Sequence, residues 1–225
     1  DPATRTVTYR DRDHGDLSDP AVLASFRYDS EAHLDGLLRR AVRDGGNRHW
    51  ELRGPMLSVL ADPAESTLWV SGGDTVLRAL CAQPAGDPWS LEIHRQPPSP
   101  AGRRRATVES LLWNTAVWSS QGRIPVTMDP DVAVAVRAWP DLTRCVLTPS
   151  VLAVTALLAA GPQRPADVST LLAIPRSHAF VVLAALDASG LLEGAAEPAA
   201  TPPEPPTVHA ERGLLRRFLA RLRDA

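Results

Sequence analysis

Apolar side chains recur three and four positions apart in some stretches and two apart in others, and the change of period divides the chain into elements. Leu34, Leu37, Leu38 and Val42 share one helical face. With Asp29 and Ser30 as N-cap candidates and Asp44-Gly45-Gly46 as the stop, they predict a helix through Arg43. Trp50 and Leu52, then Met56 to Leu60, predict extended segments, and Asp62-Pro63-Ala64-Glu65 predicts a turn into a return strand, Thr67 to Val70. Val76, Leu77 and Leu80 predict a short helix after Gly72-Gly73-Asp74, and the alternation from Trp89 to Ile93 predicts a half-buried strand. A loop, RQPPSPAGRRR, leads to a helix from about Ala106 to Ser120. Its apolar face carries Val108, Leu111, Leu112, Ala116 and Val117, with Trp113 and Trp118 flanking it. Pro130 to Trp139 predicts one more strand, and Thr4 to Tyr9 a short first one. Strands alternate with helices without parallel βαβ units, so residues 1–143 are predicted to form a mixed α+β domain.

From Thr148 to Leu192 the pattern is almost continuously aliphatic. Thr148-Pro149-Ser150 starts a helix that Gly161-Pro162 ends; a second runs from Asp167 to Leu172, Ile174-Pro175 turns the chain, and a third runs from about Arg176 to Ser189. Leu191-Leu192-Glu193 then predicts a strand. Residues 146–197 are read as a second domain and the proline-rich stretch 198–208 as an extended linker. Residues 209–225 are read as an amphipathic helix with Leu214, Leu215, Phe218, Leu219 and Leu222 on one face and Arg212, Arg216, Arg217, Arg221 and Arg223 on the rest.

Asp167-Val168 and Leu171-Leu172 as a first helix, Ile174-Pro175 as the turn, Val181, Leu183 and Leu186 in a second helix, and the exit Ser189-Gly190-Leu191-Leu192 together resemble the winged helix-turn-helix of bacterial regulators. The preceding segment, Val136-Arg137-Ala138-Trp139-Pro140-Asp141-Leu142-Thr143-Arg144, is similar to one found before such a module in proteobacterial signalling proteins with a PATAN-type domain. That resemblance implies a signalling role, with a small GTPase or a pilus or motility component as partner.

Charge turns the reading from DNA towards protein. From Val146 to Glu197 two arginines face Asp167, Asp187, Glu193 and Glu197, a balance of −2, the wrong sign for a polyanion. The second helix offers Arg176, then Phe180, Val181 and Val182, an apolar surface suited to packing. The tail carries five arginines against Glu211 and Asp224, or +3, while the whole chain is −2. It therefore suits a groove on a partner, peripheral contact with a membrane surface, or the acidic body of this chain.

The 24 basic residues are all arginine, and the absent lysine excludes a Walker-type phosphate loop, a lysine Schiff base and a Ser-x-x-Lys acyl-enzyme. Cys81 and Cys145 match neither a zinc ribbon nor a disulfide framework. With a polar opening and no ~20-residue apolar run, they predict buried free thiols and a cytoplasmic address. The six histidines are scattered without HxxxH or HExxH, there is no GxSxG elbow, and no cofactor is implied. Five tryptophans, Trp50, Trp69, Trp89, Trp113 and Trp118, are predicted to pack in the core. Arg10, Arg12 and Asp13 fit the RxxD pattern of cyclic-di-GMP sites, with a solvated turn as the bland alternative. Arg103, Arg104 and Arg105 before a helix start could hold a phosphate or simply pair with acidic neighbours.

The sequence therefore predicts a non-enzymatic bacterial signalling adaptor. Its predicted partner contacts are Arg176, Phe180 and Val182 of the winged helix and Leu215, Arg216, Arg217, Phe218 and Leu222 of the tail. The alternative is a winged-helix transcription regulator whose N-terminal domain senses a ligand such as a cyclic dinucleotide.

Overall fold

The hairpin turned by Asp62-Pro63-Ala64-Glu65 forms the middle of a five-stranded antiparallel sheet in the computed structural model, which describes residues 15–86, 88–96 and 98–194. The described chain runs α1 (Pro20–Ser25), β1 (Arg27–Tyr28), α2 (Leu34–Gly45), β2 (His49–Arg53), β3 (Ser58–Asp62), β4 (Thr67–Val70) and α3 (Asp74–Cys81). It continues through β5 (Ser90–His94), β6 (Arg104–Ala106), α4 (Val108–Ser120), β7 (Ile124–Pro125) and β8 (Val134–Val136). It then forms α5 (Val151–Ala160), α6 (Pro165–Leu172), α7 (Arg176–Ala188) and β9 (Leu192–Gly194). The fold is mixed α+β.

Sheet order is β5-β2-β3-β4-β6, and its register follows the apolar alternation. Trp50 pairs with Ala61, Ala61 with Leu68 and Leu68 with Ala106, while Leu52 pairs with Val59 and Val59 with Val70. Period two puts these residues on one face, where they join Leu34 and Leu38 of α2, Leu77 of α3 and Leu111 and Trp113 of α4 in one buried cluster. The opposite face carries Glu51, Leu60, Trp69 and Arg105 in register.

The predicted helix from Asp29 is shorter than its pattern. Asp29 caps a 3₁₀ turn, Ser30–Ala32, and α2 begins at Leu34 with His33 in the cap position. At its other end Gly45 lies where a Cβ would overlap the Trp50 indole, and Gly46 has φ +56°, the left-handed region that favours glycine. Gly45→Ala should therefore cost about 1–3 kcal/mol as an overpacked core. Gly46→Ala should strain only the backbone, by about 1 kcal/mol. Thermal unfolding of both variants checks the ranking.

Ala106, predicted to open a helix, ends β6 instead. Thr107 caps α4 by accepting from the Ser110 amide, while the Ser110 hydroxyl accepts from the Thr107 amide. The strand predicted over Pro130 to Trp139 is confined to β8. Trp113 and Trp118 pack in the core as expected, α4 being buried on nearly every side, and the Trp113 indole donates to the Val146 carbonyl at 3.0 Å. The α1 helix and the parallel β1–β7 pair were outside the predicted elements.

The aliphatic second half shares its core with the first. The helix α7 packs against α4, α5 and α6, and Phe180 meets Phe26 edge-to-face with ring centroids 5.8 Å apart. Arg39 on α2 pairs with Asp187 on α7 at 3.1 Å. Strand β9 pairs antiparallel with β8, and Gln163, between α5 and α6, bridges to Val134. The chain before α5 thus supplies the strand that β9 needs. No helix of the described residues is long and apolar enough to cross a membrane.

Candidate functional site

Strand alternation separates the three arginines that the sequence places side by side. Arg103, just before β6, reaches Glu51 at 2.6 Å, and Arg105 on β6 donates to the Thr67 hydroxyl at 2.9 and 3.1 Å. Arg104 points the other way, 2.9 Å from Asp74. The triplet therefore forms no single phosphate cradle, and each member meets an acidic or hydroxyl neighbour.

Glu51 is the centre of the polar sheet face. It is 1% exposed, and its carboxylate takes Arg103 on one oxygen and Arg53, at 2.8 Å, on the other. Burial disfavours its charge, but the Arg53 hydrogen bond and the Arg103 and Arg53 charges outweigh it and hold the carboxyl below its usual range. A lowered folded-state pKa means that this stabilisation is full above the unfolded-state value and lost as pH falls through the folded one. Glu51→Gln should cost about 2 kcal/mol at neutral pH, less than a fully buried pair because Arg53 is half exposed. The difference from the parent should shrink below about pH 4. Urea titrations at neutral and acid pH measure both.

A second polar cluster lies inside. The Tyr28 hydroxyl donates to Asp35 Oδ2 at 3.0 Å, and Arg39 donates to the Ser30 hydroxyl at 2.8 Å. Burial raises the carboxyl pKa of Asp35 and of Asp187, and burial and the Asp35 charge push the Tyr28 phenol well above its usual range. The free thiols Cys81 and Cys145 are buried; burial raises both, Cys145 to about 12. Such thiols stay protonated and unreactive at neutral pH. Among the described residues no group of three His, Cys, Asp or Glu side chains is placed to hold a metal ion.

The predicted contacts on α7 require correction. Phe180 and Val182 are 0% exposed, because α7 is surrounded by α4, α5, α6 and β7, and a stretch that is apolar all round, as from Ala179 to Leu186, is stable only as core. In this fold they cannot reach a partner. Arg176, at the start of α7, donates to the Gly15 carbonyl at 3.0 Å and lies over the Phe26 ring at 5.1 Å. Leu215, Arg216, Arg217, Phe218 and Leu222, together with Arg10, Arg12 and Asp13, lie outside the described residues.

The apolar surface is on α5 instead. Its sequence, VLAVTALLAA, has no charged residue, and only one side is used by the core through Val151, Val154 and Leu158. The other side exposes Leu152, 59% accessible, with Ala153, Ala156, Ala159 and Ala160. The neighbouring α6 adds Leu171 at 57%. Single exposed leucines are ordinary, whereas Leu152 with four exposed alanines makes a continuous charge-free strip along α5. Sequence reasoning missed these two leucines, although a helix apolar all round beside a single body leaves one side uncovered. Trp139 is likewise exposed. No protein-family model, curated protein or solved structure matches the chain.

Proposed function

We infer that this protein is a non-enzymatic adaptor that binds another protein through the outer face of α5 and α6. The observation that carries this reading is the exposed Leu152 on an α5 face that has no polar side chain, with Leu171 on the adjoining α6. The order α5–α6–α7–β9 supports a winged-helix-like unit, in which β8 stands in for a wing strand by pairing with β9 and with Gln163. In such a unit α7 holds the place of the groove-reading helix, and its burial argues against DNA readout. The described part of this unit, from Val146 on, carries Arg164 and Arg176 against Asp167, Asp187 and Glu193, so charge argues the same way. The basic segment 209–225, tethered by its proline-rich spacer, is proposed as an additional contact arm.

The test is capture from bacterial lysate, with and without nuclease, by the full chain, by Leu152→Asp and by Leu171→Asp, followed by identification of the captured species and direct titration. A nuclease-resistant partner that both variants lose supports the adaptor. Nucleic acid recovered alone, with steeply salt-dependent binding, supports the transcription-regulator alternative and overturns it.

A further inference from the structure

A cavity of about 240 Å³ lies between β6, α4 and the segment that follows the 3₁₀ turn Leu142–Arg144, on the side of β6 away from Glu51. Its wall includes Arg104, Arg144, Asn114, Ser110 and, from the start of α3, Asp74. Asn114 shapes it by accepting from the Val146 amide at 2.6 Å and donating to the Arg144 carbonyl at 3.4 Å. Two nitrogens of Arg104, Nε and Nη2, are buried and have no hydrogen-bond acceptor. Asp74 stands 2.9 Å from Nη2, as an ion pair, but off the direction of its N–H bonds, and its own side chain is mostly exposed. The Arg144 guanidinium makes no ion pair or hydrogen bond among the described residues.

Buried donors without an acceptor are rare in folded proteins, and an unseen ion is one of their ordinary causes. Here the orphaned donors belong to a planar guanidinium, the group best matched to the paired oxygens of an oxyanion. They lie on a cavity whose second cation, the exposed Arg144, makes no hydrogen bond or ion pair among the described residues and acts only through its charge on Asp141. We propose that this cavity binds a phosphoryl group, as free phosphate or as the head of a small phosphomonoester. Arg104 supplies a two-nitrogen fork and Arg144 the second charge, while Asp74 at the rim competes for Arg104. The cavity is below the ~300 Å³ at which pockets for drug-sized ligands begin, which excludes a whole cyclic dinucleotide here. This site is separate from the α5–α6 face, so either proposal can fail without the other.

Isothermal titration with inorganic phosphate and, separately, glycerol phosphate, at ionic strength held constant with sodium chloride, tests it on the full chain. Saturable binding is expected with a Kd of about 1 mM or tighter. Arg104→Gln and Arg144→Gln should each weaken it about tenfold or more, the usual effect of losing a hydrogen bond to a charged group. Arg144→Gln has no hydrogen bond or ion pair to lose among the described residues, only an exposed charge near Asp141, and should leave the melting temperature nearly unchanged, so its effect reads binding. Asp74→Asn should tighten binding by freeing Arg104. The tighter of the two ligands identifies the source of the phosphoryl group within the proposal. Absence of saturable binding by both, or binding that neither arginine substitution weakens, overturns it.

Discussion

Phe180→Ala is expected to lower the stability of the whole described fold by about 3–5 kcal/mol, in a single unfolding transition. The side chain has no exposed surface and meets Phe26, which belongs to the other half of the chain. Truncation removes its transfer free energy and leaves a cavity among rigid neighbours, because α7 is packed on several sides and cannot collapse inward. The tryptophans make the test specific. All six precede residue 140, so their fluorescence reports only the half in which Phe180 does not lie. A shared core predicts that urea unfolding followed by tryptophan fluorescence and by helical circular dichroism moves together to lower urea. Two separate domains predict a fluorescence transition that stays in place while the helical signal moves alone.

Leu152→Asp is expected to weaken partner binding about thirtyfold or more while leaving the fold intact. The side chain is 59% exposed, so its burial contributes little to folding, and a carboxylate there remains solvated in the free protein. In a complex the same carboxylate is desolvated against an apolar surface without a counter-charge, a loss of about 2 kcal/mol or more at a central contact. Leu152→Ala should show the smaller loss expected from removed area alone. Surface titration of the identified partner against the three proteins gives the ranking, and the melting temperature of each shows that the fold is unchanged. If Leu152→Asp binds like the parent, the α5 face is not the contact.

Much of the fold can be read from local pattern, and what escapes it is long-range. The β3–β4 hairpin follows from apolar alternation around a Pro-containing turn, and α3, α5, α6 and α7 follow from spacing and from Gly or Pro at their ends. Strand β6 could not be found this way. Two of its three residues are arginines, and only pairing with β4, with Leu68 opposite Ala106, makes it a strand. The parallel β1–β7 pair joins residues nearly a hundred positions apart and has no local signature. The same distinction runs through the sites. Apolar composition of α7 predicted packing, but whether Phe180 and Val182 would face a partner or the protein's own core depends on α4, which no local window shows. Glu51 has an ordinary outward position beside Trp50 and Leu52, and its burial under Arg103 is a tertiary event. Arg104 was visible as part of a basic run, whereas Arg144, forty residues later, joins it only in the fold.

In this fold α7 is interior, and α5 is the surface proposed to meet a partner. Thiol labelling of Val182→Cys and Leu152→Cys in the full chain tests it most directly, because Cys81 and Cys145 are buried and stay silent. The thiol at 152 is expected to react at the rate of an exposed cysteine and to become protected when the partner is bound, while the thiol at 182 should react only on unfolding. Equal, rapid labelling of both positions in the native protein would contradict it.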